Sequence, residues 1–292
     1  MSQPRQAIHR YAKTTAIVTF LLLIAGGLVT STDSGLAVPD WPLSYGAWFP
    51  PMVGGIVYEH GHRMIAGLVG LMILVLAGWL WKIEPRRWVR LLGYSALAAV
   101  ILQALLGGLT VLLLLPPLVS VAHACLGQTV FCLVVALTQC TAHSWLEHPA
   151  CIEDRGWPTL RTLGAGVVLC AALQLILGAV VCHTGLAVSA HVIGAIALLL
   201  ITGWLVARIV LMGSSVVVIR SHAVRLLGLL CVQGALGVAV FTHRGAIVLR
   251  TAHVATGALL LAQAVILVWE LCRHTAPAIA VPAAQAVSAR VT

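Results

Sequence analysis

The chain has 292 residues, of which 61% are hydrophobic and only 9% are charged. A soluble domain with so few charges could not cover its surface with polar groups, so the composition excludes a soluble globular protein and predicts an integral membrane protein. The formal net charge is +9, but the 17 lysines and arginines are dispersed between apolar runs and form no basic stripe, which argues against a nucleic-acid partner.

Six uncharged stretches follow one another along the chain, and two of them are too long for one crossing of about 20 residues. Pro116-Pro117 breaks the third stretch, because proline removes a helix donor and clashes with the preceding turn. The sequence HTGLAVS at 183–189 breaks the fourth. We therefore predict eight transmembrane helices. The stretches are 14–32, 64–81, 91–146, 162–207, 226–243 and 251–269.

The basic residues predict the orientation of these helices. Fourteen of the 17 lie at the termini or in loops on one side, whereas only Arg63, Arg244 and Arg250 lie on the other. By the positive-inside rule, both termini are expected in the cytoplasm.

An internal repeat relates residues 1–150 to residues 151–292. Four residues recur 130 positions later, and the tetrapeptide GLAV occurs at 35–38 and again at 185–188. The Gln-x-x-x-Gly step also occurs a third time, at Gln174 and Gly178, and we interpret all three steps as sites of close helix packing. The predicted fold is therefore all-α, with two tandem pseudo-symmetric four-helix bundles. The repeated set is Gln103, Gly107, His123 and Gly127, matched by Gln233, Gly237, His253 and Gly257.

The halves differ in one outer segment. From GLAV to the next histidine of the repeat there are 24 residues in the first half and three in the second, an insertion of about 21 residues. Glu59 lies in the insertion and has no counterpart in the second half, which suggests chemistry confined to the first half. The aromatic residues of the segment are interpreted either as a cover for a pocket or as an interfacial belt. They are Trp41, Tyr45, Trp48 and Phe49.

Four histidines lie near the outer start of an even-numbered helix: His62, His123, His191 and His253. Facing imidazoles across a bundle are typical axial ligands of an electron-transferring haem, and the glycine four residues after His123 and His253 is expected to leave room for a flat macrocycle. Histidines that only form hydrogen bonds between helices are the alternative. Arg63, Arg244 and Arg250 are expected either to pair with haem propionates or to reach the membrane interface.

With these motifs the chain resembles the haem A synthase family of membrane enzymes, which convert haem O to haem A. VTSTDSGLAVPDWPLSYG is similar to the first outer loop of that family, and EHGHR is similar to its Glu-x-x-His-Arg signature. The chain departs from the family at Val38 and Ser44, where many bacterial members carry a cysteine pair. A thiol-based role for the loop is therefore not expected.

The resemblance implies a role for each of the four histidines and for Glu59. His191 and His253 would hold haem b in the C-terminal half, and His62 and His123 would frame the substrate haem O, with Glu59 as the catalytic acid. Oxidation of the C8 methyl group to a formyl group gives haem A for terminal oxidases. The implied location is the bacterial inner membrane, and the implied partners are lipid, a haem O synthase and an electron donor. A homo-oligomer is left open.

Two other classes share some of these features. A bis-histidine haem b electron carrier that does not modify haem has the same four ligands, but it normally places haems near both membrane faces. A transporter built from repeats is less consistent with the sequence, because these repeats have the same orientation and no helix is broken in mid-membrane.

Overall fold

The computed structural model describes residues 3–145, 152–154, 156–212 and 217–277. This part of the chain contains eight helices that are long and apolar enough to cross a membrane, which confirms the predicted number. Arg155 and Arg290, two of the basic residues counted above, lie outside the described residues. The helices are α1 (Gln3–Ser31), α2 (Gly55–Ile83), α3 (Arg87–Leu112), α4 (Pro117–Thr141), α5 (Leu160–Thr184), α6 (Val188–Leu211), α7 (Val217–Thr242) and α8 (Ile247–His274).

The helices extend beyond the uncharged stretches that predicted them. The α2 helix begins at Gly55, before the apolar run that starts at Met64, so Glu59, His62 and Arg63 lie within its first turns. Helical hydrogen bonding continues through such residues because polar side chains at a helix end can reach the membrane interface while the backbone stays paired.

Both predicted breaks are present. Leu114 and Leu115 adopt positive φ angles of 58° and 60°, and Pro117 is the first residue of α4. Gly185 (φ 71°) ends α5 in the left-handed conformation, which glycine adopts without steric cost. The chain therefore reverses twice where the sequence predicted it.

The eight helices form two groups with the same arrangement. In the first group, α1 and α3 each contact both α2 and α4; in the second, α5 and α7 each contact both α6 and α8. The groups meet through α1, α4, α5 and α8, where Phe131 packs with Ala258 and Ala262. This arrangement agrees with tandem four-helix bundles. The boundary at residue 150 falls outside the described residues and stays a prediction.

Large apolar side chains cover the outside of the helices. Leu68 is 51% exposed, Ile193 66% and Leu200 68%. In water such a surface would be unfavourable, but lipid chains are as apolar as these side chains, so the outward positions agree with a membrane setting.

Two short strands join the ends of the second group. The strands β1 (Ile152–Asp154) and β2 (Thr275–Pro277) pair in parallel, with Ile152 opposite Thr275. The carboxylate of Asp154 is buried and accepts a hydrogen bond of 3.0 Å from Arg208 at the end of α6. This ion pair ties the segment before α5 to α6.

Candidate functional site

The four histidines lie at the same end of the two helix groups. His62, His123, His191 and His253 all fall in the first two or three turns of α2, α4, α6 and α8. Consecutive membrane-crossing helices alternate in direction, so the starts of these four helices share one side of the membrane. The fold therefore brings the four predicted ligands to one level, two in each group.

The imidazoles of His191 and His253 face each other across the second group. Their ring centroids are 6.4 Å apart, and the ring planes are inclined by 73°. Two imidazoles that bind one metal ion from opposite sides have centroids roughly 6 Å apart, because each metal–nitrogen bond is about 2 Å long. The spacing of this pair fits ligation of one iron.

Each of the four rings packs against a glycine of the preceding helix. A Cβ atom at that glycine would lie 3.0–3.3 Å from Cε1 of the imidazole, closer than ordinary contact. Glycine, which has no side chain, gives the imidazole enough room in this position. The pairs are Gly26 with His62, Gly107 with His123, Gly178 with His191 and Gly237 with His253.

Glutamine side chains contact three of the histidines. The amide nitrogen of Gln103 lies 3.4 Å from Nε2 of His123, and that of Gln233 lies 3.2 Å from Nε2 of His253. The amide of Gln174 donates instead to the backbone carbonyl of His191, at 2.7 Å. Sequence reasoning missed these contacts, although the Gln-x-x-x-Gly repeat signalled them, because we assigned the repeat to packing alone.

The glycines that follow two of the histidines have a neighbour that the sequence did not predict. A Cβ at Gly127 would lie 3.0 Å from the amide nitrogen of Gln103, and one at Gly257 would lie 3.3 Å from that of Gln233. These glycines therefore make room for the glutamines of the preceding helix. The expectation that they also leave room for a macrocycle stays a prediction.

Several polar atoms of this network are buried and have no partner. They include one ring nitrogen, Nδ1, of each of the four histidines and the amide oxygen of each of the three glutamines. Leaving a buried polar atom unpaired costs about 1–3 kcal/mol, so proteins rarely repeat the arrangement without a use for it. Imidazole nitrogens are the usual protein ligands of haem iron, and the four unpaired nitrogens fit such a group.

Glu59 and Arg63 form a buried ion pair on α2. Oε1 of Glu59 accepts a hydrogen bond of 2.6 Å from Arg63, and Oε2 accepts one of 2.9 Å from the backbone N–H of Val38. Arg63 also donates to the carbonyls of Asp40 and Leu43. The arginine is thus bound to the outer segment. The carboxylate of Glu59 is therefore paired in the structure, and its catalytic role stays a prediction.

The other two arginines differ in their surroundings. Arg250 lies one turn before His253, donates to the carbonyl of Ser31 at 2.6 Å, and keeps a buried Nε without a partner. Arg244 is exposed and stacks on Phe241 at 5.3 Å. Of the three predicted propionate partners, Arg250 alone has a free buried donor beside a histidine site.

The outer segment is a compact loop that is anchored to α2. The hydroxyl of Ser44 hydrogen-bonds Nδ1 of His60 at 2.8 Å. Hydrogen bonds from the backbone N–H groups of Gly46 and Tyr45 hold the pKa of the Asp40 carboxyl below its usual range. At the two positions where many relatives carry cysteine, hydrogen bonds instead join the loop to α2. The backbone N–H of Val38 donates to Glu59, and the hydroxyl of Ser44 hydrogen-bonds His60.

The aromatic residues of this segment divide between the two predicted roles. The indole of Trp41 packs on Gly108, next to the glycine that faces His123, and so covers this end of α3. Trp48 and Phe49 are 70% and 84% exposed, as expected for residues of an interfacial belt. Tyr45 is also exposed, and its hydroxyl donates to the carbonyl of Ala37.

The fold and the site define a multi-pass membrane protein with two groups of four helices and a histidine pair at the same end of each. Residues 55–190 match the COX15-CtaA family model, described as a cytochrome oxidase assembly protein. The match begins at the first residue of α2 and includes Glu59, His62 and His123.

Curated bacterial relatives agree with this match. The chain is 34% identical to the Heme A synthase of Alkalihalophilus pseudofirmus over 47% of this chain and 48% of the relative. It is 36% identical to that of Bacillus licheniformis over 42% of each chain. For Symbiobacterium thermophilum the identity is 29%, over 62% of this chain and 60% of the relative. The chain thus spans about half the length of the curated relatives it matches, and the resemblance inferred from the motifs is confirmed.

Proposed function

We propose that this protein is a haem A synthase, which oxidises the C8 methyl group of haem O to the formyl group of haem A in a bacterial cell membrane. The observation that carries the proposal is the repeated histidine site, in which paired imidazoles with unpaired nitrogens lie at one level of both helix groups. The names of the matched relatives supply the particular reaction.

The two histidine pairs have different tasks in this proposal. His191 and His253 hold haem b in residues 151–292, and the contact between their rings supports this assignment. His62 and His123 hold the substrate haem O in residues 1–150. Conversion of a methyl to a formyl group by two successive hydroxylations is a four-electron oxidation with dioxygen as the oxidant, and haem b would supply the route for the two electrons that each hydroxylation also consumes as one oxygen atom leaves as water. Arg250 binds a propionate through its free Nε.

Glu59 moves a proton at the substrate site. It lies three residues before His62, which turns both side chains toward the same side of α2. Arg63 holds Oε1, so the proton is carried by Oε2 once the N–H of Val38 releases it. The packing of Trp41 on Gly108 keeps water from the neighbouring end of α3.

The orientation follows from the charge asymmetry of the loops, with both termini in the cytoplasm and the outer segment on the opposite side. A haem O synthase in the same membrane delivers the substrate, and a separate electron donor reduces the haem b. Haem O is too apolar to cross water readily, which favours transfer within the membrane.

The test is expression of the full chain beside a haem O synthase, in a host without its own haem A synthase. Haems are then extracted and separated by chromatography. We expect haem A together with a hydroxylated intermediate, and neither in cells that carry the haem O synthase alone. An extract with only haem b and haem O under aerobic, reducing conditions would contradict the proposed reaction and favour the electron-carrier alternative.

A further inference from the structure

The internal repeat places a polar residue one helical turn before one ligand histidine of each half. Ser120 precedes His123 by three residues on α4, and Arg250 precedes His253 by three residues on α8. The two positions differ by 130, the same offset that relates the two histidines. Residues three apart lie on the same side of a helix, so each polar side chain shares a face with the imidazole. The halves therefore have equivalent positions, one with a hydroxyl and one with a guanidinium.

Both side chains keep a buried polar atom without a partner. Oγ of Ser120 and Nε of Arg250 are shielded from water, and neither has a hydrogen-bond partner. Ser120 as a whole is only 4% exposed. Many hydroxyls of the described helices donate instead to a backbone carbonyl one turn earlier, as that of Thr19 does. In the described residues one other buried hydroxyl lacks a partner, that of Thr202, and it lies on α6 about three turns beyond His191.

An unpaired buried donor beside a haem site is explained when the haem brings an acceptor. Haem b and haem O both carry propionate carboxylates, which need hydrogen-bond partners wherever the porphyrin edge is buried. Hydroxyl and guanidinium groups are donors that suit a carboxylate. The two equivalent positions therefore fit the propionate edges of the two haems.

The two donors differ in charge, and so in how firmly they hold a carboxylate. A guanidinium forms an ion pair and can bind both carboxylate oxygens, whereas a serine hydroxyl gives one hydrogen bond and no opposite charge. Arg63, the arginine of the N-terminal site, is already bound to Glu59 and to carbonyls of the outer segment. The C-terminal site thus has a cation before its ligand, and the N-terminal site has a neutral donor in the same place.

We infer that Ser120 binds a propionate of the substrate haem O, in the place where Arg250 binds that of haem b, and that the missing positive charge lets the product leave. The inference rests on the proposed function and deepens it. A cofactor is retained through every turnover, whereas a substrate site must release its product after each one. A neutral donor orients the porphyrin without a buried ion pair, which would have to be broken on release.

The first experiment removes the hydroxyl. Full-length protein is produced in cells that make no haem O, purified, and titrated with haem O while the absorption spectrum is recorded. Ser120→Ala should bind haem O about tenfold more weakly than the wild type, and its haem b spectrum should be unchanged. Ser120→Thr, which keeps a hydroxyl, is the matched control and should bind haem O more tightly than Ser120→Ala. Wild-type affinity in Ser120→Ala overturns the inference.

A second ligand separates a contact with the propionate from a change in the shape of the site. The dimethyl ester of haem O has no carboxylate, because both propionates are esterified, so the serine loses its charged acceptor. The wild type and Ser120→Ala should therefore bind the ester with equal affinity. If Ser120→Ala weakens binding of the ester as much as that of haem O, the serine acts through packing and the inference is overturned.

The third experiment gives the C-terminal site the donor of the N-terminal one. Arg250→Ser should lose haem b to apomyoglobin about tenfold faster than the wild type, because the ion pair is gone. The control is Thr251→Val, which removes a hydrogen bond of 3.2 Å to the hydroxyl of Ser31 on α1 and leaves the guanidinium in place. This control should lose haem b at the wild-type rate. A wild-type rate in Arg250→Ser, or the same faster rate in both variants, overturns the proposed difference in charge.

These measurements need no turnover, so they separate the inference from the proposed function. Wild-type protein that binds haem O but forms no haem A contradicts the proposed reaction, and the titrations still decide the role of Ser120. Wild-type protein that forms haem A, with equal affinity for haem O in the wild type and in Ser120→Ala, contradicts only the role of Ser120. Wild-type protein that binds no haem O contradicts both.

Discussion

Glu59 and Arg63 lie one turn apart on α2 and are joined by a hydrogen bond of 2.6 Å. Their side chains are only 4% and 14% exposed, so the pair is shielded from water. Through Val38, Asp40 and Leu43 the same pair holds the outer segment against the helix. Glu59 therefore has a structural contact as well as a proposed role in proton transfer. A substitution that tests the second role must preserve the first.

Replacement of Glu59 by glutamine makes that separation. Glutamine keeps the size and an acceptor for the N–H of Val38, but it does not carry a proton at neutral pH. We expect normal accumulation, normal haem b, and retention of haem O or a hydroxylated product with little haem A. Chromatography of the extracted haems measures haem O, the hydroxylated product and haem A, and the reduced spectrum measures haem b. The control is Asp40→Asn, which changes a carboxylate that accepts from Tyr45 and Gly46 within the loop and keeps the backbone carbonyl that Arg63 contacts. This variant should still form haem A.

Glu59→Ala measures how much the side chain of Glu59 contributes to the stability of the protein. Both variants remove the charge that faces Arg63, but glutamine keeps a hydrogen-bond acceptor and alanine does not, so the guanidinium is left without a side-chain partner only in Glu59→Ala. Breaking a buried pair in this way costs about 3–5 kcal/mol, so Glu59→Ala should unfold at a lower temperature than Glu59→Gln. Wild-type levels of haem A in Glu59→Gln would remove the residue from the mechanism.

Replacement of His191 by alanine or of His253 by methionine should remove or shift haem b. The two rings lie 6.4 Å apart, and each variant takes away one imidazole. The measurement is the reduced-minus-oxidised spectrum of the purified protein. His243→Ala, an exposed histidine at the end of α7, is the control and should leave the spectrum unchanged. An unaltered spectrum in both site variants would mean that the haem b assignment is wrong.

Gly107→Ala and Gly237→Ala should disturb the histidine sites. The new Cβ atoms would lie 3.0 Å from His123 and 3.3 Å from His253, so each ring must shift, at a cost of about 1–3 kcal/mol. We expect altered haem spectra and lower thermal stability. Gly234→Ala on α7, where no atom lies within 4 Å of the new Cβ, should resemble the wild type. Equal effects of all three changes would indicate a general response to alanine.

Glu84, which follows α2, predicts a pH dependence of stability. Burial alone would raise the pKa of Glu84, but the hydrogen bonds and charge of Arg86 outweigh it and lower the pKa below the ordinary value. The stabilisation is therefore complete above the ordinary pKa and is lost as the pH falls through the lower pKa of the folded protein.

Thermal unfolding in detergent tests this dependence. Glu84→Gln should be less stable than the wild type at neutral pH by about 1–2 kcal/mol, and the difference should vanish in acid, where the wild-type carboxyl is protonated. A difference that stays constant with pH would contradict the role of the charge.

Reporter fusions test the orientation. A fusion at Tyr45, in the outer segment, should be active only with a periplasmic reporter, and one at Pro85, between α2 and α3, only with a cytoplasmic reporter. The expectation rests on the distribution of the 17 basic residues. A cytoplasmic signal from position 45 would reverse the topology.

The number of helices was predictable because hydropathy and the effect of proline are local properties. Pro116 and Pro117 interrupt an apolar stretch wherever it lies in the fold, and eight helices follow from the lengths of the apolar stretches together with the two breaks. The helix ends were less predictable, since α2 continues through polar residues as far as Gly55. Its backbone is paired whether or not its side chains are apolar.

The sequence by itself determined the membrane class, the repeat and the level of the four histidines, because composition and spacing along helices carry that information. The tertiary structure alone decided which neighbour each polar side chain meets. It turned Gly127 toward Gln103, paired Glu59 with Arg63, and left the buried hydroxyl of Ser120 without a partner. Such contacts depend on how far each helix is rotated about its axis, and that rotation is fixed by the packing of all eight helices together.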